Sequence, residues 1–265
     1  MKTSPVEHFH ISLNTPAGQI TTEVAVPTGF IPVTAIVPLM RSMGGQIQEL
    51  EQRRALDQGH VVSCQKGCAA CCRMLVPLSA PEAFAFKQFY DQLPVERQRV
   101  LRSRIDSSQA RLHDAGLLAP LNDVAESQDP LADETLEPLN RAYYALRMPC
   151  PFLENEHCTI YEERPAACRE LLVTSPPELC QDLTNPAIQA VPVSVRISTT
   201  LGLLWAELTG TAERLIPLPV ALDWAVRHQA DRHRTWPGNE LFDKVLDKVW
   251  RYLSQELHRR NTPGG

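Results

Sequence analysis

No apolar run in this 265-residue chain approaches the roughly 20 residues a helix needs to cross a bilayer, so no membrane partner is expected. Positive charge is not in excess either. Twenty-six Lys and Arg face 31 Asp and Glu, a net charge of −5, which excludes a general affinity for nucleic acid. The opening residues MKTSPVEHFHISL have no long apolar core of the kind a secretory signal carries, so a cytoplasmic location is expected. There is no GxSxG, no HExxH, no phosphate-binding GxxxxGK[ST] and no glycine-rich strand–turn–helix for a dinucleotide or S-adenosylmethionine. Internal repeats and low-complexity tracts are absent as well.

What remains is an ordinary soluble composition, 43% apolar and 22% charged, long enough for one large domain or two small ones with a sizeable core. Against it stand eight cysteines. In a reducing compartment that number argues for metal or redox chemistry over structural disulfides. Four of them fall in nine positions, Cys64, Cys68, Cys71 and Cys72, within SCQKGCAACCR. Wound as a helix, these four share an arc of roughly 100°. If Gly67 breaks the helix, a tight loop delivers the same sulfurs to one place. The other four, Cys150, Cys158, Cys168 and Cys180, are separated by 7, 9 and 11 residues. A free-standing structural zinc site uses two tight pairs, which this group lacks. It reads as the complementary half of a site begun by residues 64–72. CPFL-ENEH-CTIY predicts two short strands turning near Asn155, bringing Cys150 and Cys158 close across the ladder. Arg164-Pro165 starts a short helix carrying Cys168.

A centre rich in thiolates carries negative charge that nearby cations offset. Arg73, Arg164 and Arg169 each lie within a few residues of a cysteine and are candidate cofactor-binding side chains, with a salt bridge or a bond to a carbonyl as the alternative for each. Tyr161 is a candidate partner for a sulfur or, more simply, a packed ring. His60 and His157 lie near the two groups but read as solvent-facing, as do Glu154, Glu156, Glu162 and Glu163. No catalytic residue is assigned.

The rest of the chain supplies a scaffold. Residues 8–26 alternate around the turn Asn14–Gly18 and predict a β-hairpin. Residues 36–57 have helical spacing, with Pro38 in the first turn and Gly44-Gly45 as a weak point. Ser79-x-x-Glu82 is a capping box for a helix whose Phe84, Phe86, Phe89 and Tyr90 read as core. A further helix over 95–115 carries Arg97, Arg99, Arg102, Arg104 and Arg111, a solvated face or a dock for an acidic partner. Residues 117–136 read as an acidic surface linker, 137–147 as a short helix and 181–198 as extended. Helices over 199–209, 219–233 and 239–259 each hold one tryptophan, Trp205, Trp224 and Trp250, expected in the core. The expected fold is mainly α with a small β component: a helical domain with an N-terminal β-hairpin and an irregular Cys-rich metal-binding centre. Its regions are 1–60 (hairpin and lead-in helix), 61–182 (cysteine cluster) and 183–265 (C-terminal helices packing on it).

The pattern C-x3-C-x2-CC, then CPFL, then C-x-IY-x2-RP-x2-CR resembles the CxxCxxCC cysteine-cluster family, the YkgJ-like zinc- or iron-chelating proteins. Cys64, Cys68, Cys71, Cys72, Cys150, Pro151, Cys158, Tyr161, Arg164, Pro165, Cys168 and Arg169 carry the match, over about residues 63–180. The first gap holds three residues where the family's name has two. The resemblance implies metal or iron–sulfur binding through these cysteines. One branch is similar to flagellin lysine N-methylase, which implies methyl transfer to a protein substrate. Three functions compete. The first is an iron–sulfur protein, with a [4Fe–4S] cluster and a redox or methyl-transfer role. The second is a zinc-stapled, non-catalytic structural or partner-binding module. The third is a sensor forming reversible disulfides.

Overall fold

The alternation near the N-terminus forms an antiparallel hairpin in the computed structural model of the protein, which describes residues 5–129, 133–182 and 185–261. Strand β1 (Val6–Thr15) pairs with β2 (Gly18–Pro27) from Val6↔Pro27 to Thr15↔Gly18. The Thr15 hydroxyl closes the turn by donating to the Gly18 carbonyl at 2.7 Å. Ile11, Leu13, Ile20, Val24 and Val26 face inward and are buried, as the period of two requires. Strand β3 (Phe30–Pro32) leads into α1 (Ile36–Asp57), which buries Ile36, Met40, Met43 and Ile47 on one face. Gly44 is more than a weak point there. A Cβ at this position would come within 2.5 Å of the Ile197 side chain, so glycine is what lets a later helix approach.

An irregular stretch follows, then β4 (Pro77–Leu78) and α2 (Ala80–Gln92). The capping box is formed: the Glu82 amide donates to the Ser79 hydroxyl and the Glu82 carboxylate accepts from the Ser79 amide. Helix α3 (Val95–Asp114) ends at Gly116, which has φ +70°. Its arginine run is held within the molecule. Arg97 and Arg104 pair with Glu154, Arg99 with Glu96 and Arg102 with Asp106 and Asp223, while Arg111 donates to the Leu146 carbonyl. The expected linker over 117–136 is instead largely helical, with α4 (Leu118–Glu126) and α5 (Asp133–Ala145). Acidic and proline content suggested a loop, but Leu121 and Ala125 recur at helical spacing and are fully buried. The part of that reading at 130–132 lies outside the described residues, as do 183–184 of the extended stretch.

The second cysteine group occupies β5 (Leu153–Glu154), β6 (His157–Cys158) and α6 (Ala166–Glu170). The C-terminal part follows as α7 (Ile197–Thr209), β7 (Ile216–Pro217), α8 (Leu218–Arg227), α9 (Gln229–Arg232), β8 (Thr235–Pro237) and α10 (Gly238–Asn261). Besides the N-terminal hairpin, β3 pairs with β8, β4 with β7 and β5 with β6, all antiparallel. The fold is mainly α with a small β component. Helix α2 packs against α7 and α8, and Phe84 meets Trp205 and Trp224 with ring centroids 5.3 and 5.1 Å apart. Buried residues from Ile11 to Leu253 form one hydrophobic cluster. Trp250 is not part of it. It is 56% exposed, one step off the face of α10 that buries Val245, Val249 and Leu253. Among the described residues no helix is long and apolar enough to cross a membrane.

Two expected outcomes follow from this scaffold. Glu82 is fully buried and its carboxylate accepts from the Ser79 amide and hydroxyl, the Ser198 hydroxyl at 2.7 Å and the Ala166 amide at 2.9 Å. Glu82→Ala strands these donors and should lower stability by about 3 kcal/mol, read from urea unfolding. Glu207 pairs with Lys244 and Lys248, which pull its carboxyl from 4.5 down to about 2. A depressed carboxylate contributes stability above its unfolded value and loses it as pH falls through the folded one. The melting-temperature gap between wild type and Glu207→Gln should therefore be full at neutral pH and shrink as pH drops from about 4.5 toward 2.

Candidate metal centre

The first cysteine group lies in a loop, not a helix. Successive turns are closed by Cys68 N–H to the Gln65 carbonyl, Cys72 N–H to that of Ala69 and Met74 N–H to that of Cys71, at 3.0, 3.0 and 3.1 Å. Gly67 has φ +98°, a conformation side chains disfavour, and it interrupts any helical run. The loop is held at both ends by the second group. At the front, Ser63 N–H donates to the Val173 carbonyl at 3.0 Å and its hydroxyl to the Ser175 carbonyl at 2.5 Å. The Val173 amide in turn donates to Cys64 Sγ at 3.3 Å. At the back, Cys150 N–H donates to the Cys72 carbonyl at 2.8 Å. Arg73 adds a two-pronged ion pair to Glu156 and a bond to the Ala69 carbonyl.

In the second group Asn155 and Glu156, with φ +49° and +60°, make the turn expected near Asn155. That turn fixes the pairs Glu154↔His157 and Leu153↔Cys158. Cys158 therefore faces Leu153, and Cys150 precedes the two-residue ladder rather than standing opposite Cys158. Cys168 rides on α6, whose first amide is held by Glu82. Cys180 is buried in a turn whose carbonyl accepts from the Tyr144 hydroxyl at 3.1 Å. Neither Glu82 nor Tyr144 was marked as a site residue by the sequence. The capping box reveals Glu82 locally, but not its reach to Ala166; the helix over 137–147 is expected to bring Tyr144 up to the second cysteine group, but its bond to the Cys180 carbonyl has no sequence signal.

All eight cysteines are free thiols. Burial pushes Cys150 and Cys168 up to about 12, and Cys71 and Cys158 add to the rise in both. Cys71 is raised by its hydrogen bond with Cys72 and then by burial. Burial also raises Cys64 and Cys180, and each feels Cys68 and Cys71 as well. Two sets emerge, 64/68/180 and 150/158/168, with Cys71 acting on both. As the side chains stand, no three Cys, His, Asp or Glu residues among those described meet in a metal-holding arrangement. The donor set is nonetheless sulfur-only and reduced, the soft chemistry that zinc and iron–sulfur groups take, and a bound cation would displace the protons these thiols hold.

Of the three candidate arginines, Arg164 is the one whose charge reaches several sulfurs. It works against the rise at Cys64, Cys71 and Cys168. It is held by a bond from Nε to the Tyr161 carbonyl at 2.9 Å and by the Tyr161 ring 3.7 Å beneath it. Arg169 braces this segment by donating to the Arg164 and Glu162 carbonyls. Arg73 clamps loop to hairpin. Arg73 and Arg169, like Arg164, thus bond backbone carbonyls, and Arg73 adds the ion pair to Glu156. His60 and His157 are exposed; His157 Nδ1 donates to the Asn155 carbonyl at 2.7 Å, and its Nε2 lies 3.5 Å from where a Cβ on Gly67 would sit. Glu154 and Glu156 are occupied by arginines and form no paired-carboxylate site.

Replacing Arg164 by Gln removes the cation that favours thiolate at three cysteines. Iodoacetamide labelling of the metal-free protein at fixed pH, followed peptide by peptide, should slow at Cys64, Cys71 and Cys168, and unchanged rates would refute the assignment. Gly67→Ala forces a side chain into the left-handed region and should destabilise the loop by about 1–2 kcal/mol, seen as a lowered unfolding midpoint.

Residues 63–182 match the family model CxxCxxCC, described as "Putative zinc- or iron-chelating domain". No curated protein and no solved structure matches the chain. The methylase branch of the resemblance gains nothing from these comparisons. The segment 63–182, where the two cysteine groups are laced together, is thus similar to the CxxCxxCC domain family.

Proposed function

We propose that the two cysteine groups together hold one iron–sulfur centre of the [4Fe–4S] type and that the protein has a redox role. The observation that carries this reading is the lacing of the two cysteine groups: Cys150 N–H bonds the Cys72 carbonyl at 2.8 Å and the Val173 amide bonds Cys64 Sγ at 3.3 Å, so more than four thiols are drawn to one region. A structural zinc ion takes four ligands, and an adjacent pair such as Cys71-Cys72 suits one small tetrahedral ion poorly. Bound there, the cluster would supply one-electron exchange at a potential set by its surroundings.

The chain's own contribution is to gather and tune. Cys64, Cys68, Cys71, Cys72, Cys150, Cys158, Cys168 and Cys180 form the pool from which ligands are drawn, leaving any remainder as free thiols. Arg164 offsets thiolate charge, and the Val173 amide on Cys64 Sγ is the kind of N–H···S bond that raises a cluster's potential. On this reading the protein works in the cytoplasm, where thiolates stay reduced. Methyl transfer rests on the resemblance alone and is not part of the proposal.

Protein purified without oxygen should be brown and contain iron and acid-labile sulfide in comparable amounts. A colourless protein with stoichiometric zinc would replace this reading with the zinc-stapled module. Metal-free protein whose thiol count follows the oxidant would replace it with disulfide sensing.

A further inference from the structure

Away from the sulfurs, a cavity of about 490 Å³ opens between the start of α1, helix α2 and the outer side of the segment 152–165. Its size is that of a small-molecule site. The walls are mainly apolar, with Thr34, Gln88 and Gln92 as neutral polar side chains. Phe86 and Phe89 from α2 meet Phe152 edge-on, with centroids 5.5 and 6.5 Å apart, and Ile160 completes that side. One cation lines the space. Arg41, on α1, has a side chain only 14% exposed, and its one partner among the described residues is Glu163, at a long 3.4 Å through Nη1. Its Nε–H is buried and meets no acceptor. With a single long contact to Glu163, the terminal nitrogens keep N–H donors for an acceptor that enters the cavity.

We propose that this cavity binds a small organic monocarboxylate with an apolar body, its carboxylate on Arg41 and its hydrocarbon against Phe86, Phe89 and Phe152. The guanidinium fork matches a carboxylate. A single positive charge beside Glu163 suits a monoanion better than a doubly charged phosphate. An uncharged apolar compound would fill the walls but leave Arg41 as it is. The site needs no metal, so the inference stands or falls separately from the iron–sulfur reading.

The test is calorimetric titration of the full-length protein, as purified, with 3-phenylpropionate and with its neutral amide, 3-phenylpropanamide. The acid should bind, and the amide should bind about tenfold more weakly or worse, the factor expected when a charge-assisted hydrogen bond is lost. Glu163→Gln, at an exposed position, removes the competing anion and should tighten the acid while leaving the amide unchanged. Arg41→Gln should abolish the preference for acid. Ala85→Phe, which adds a ring to the cavity lining, should remove binding of both. No saturable binding of the acid, equal binding of acid and amide, or acid binding untouched by Ala85→Phe would each overturn the proposal. The acid–amide comparison uses the unaltered protein and stays decisive if a variant fails to fold.

Discussion

The centre depends on a backbone contact rather than on any cysteine side chain. The amide of Cys150 bonds the carbonyl of Cys72, joining two segments far apart in sequence, and Ser63 does the same with Val173 and Ser175 at the other end of the loop. A loop of turns has little internal stability, because each turn closes few residues and exposes much of its backbone to water. Pinned at both ends, residues 63–73 are limited to a few arrangements, and their sulfurs stay beside those of 150–180. Bringing four thiols together by loop closure alone would cost entropy at every step. Here the helical scaffold has already met that cost.

Glu82 extends the same logic into the core. It caps α2 at one end of its reach and holds the first amide of α6 at the other, and it also accepts from Ser198 on α7. The helix that carries Cys168 is therefore tied to two of the best-packed helices in the molecule. Removing the carboxylate alone strands its donors and is costly, whereas its net worth against an apolar replacement of carboxylate and donors together is small. Phe152, Ile160, Glu163 and Pro165, which line the outer cavity, lie between Cys150 and Cys168 in the chain, so the cavity and the second cysteine group draw on one segment.

What was legible in the sequence was local. The N-terminal hairpin with its turn and the Ser79–Glu82 box depend on neighbours a few residues away, and alternation or capping chemistry reveals them. The turn at 155–156 was equally visible. Its consequence was not, since a ladder of two pairs sets Cys158 against Leu153 and leaves Cys150 outside. Helix α4 was hidden because proline and acidic residues outweighed the Leu121–Ala125 spacing. Trp250 misled because a tryptophan's usual burial says nothing about which side of a helix it takes. Gly44 looked like a defect until Ile197, 153 residues later, was seen against it. The clamp between Cys72 and Cys150 has no side-chain signature at all. Convergence of the two cysteine groups could be expected from spacing and residue type, but how it is enforced belongs to tertiary structure.

The claim that both groups serve one centre is tested most directly by removing one sulfur from each. Cys68→Ser and Cys168→Ser should each lose the bound metal as fully as the double variant does, measured on anaerobically purified protein and normalised to folded chain. If either single variant keeps the wild-type metal content, its segment does not contribute to the centre, and the account of a shared site is contradicted.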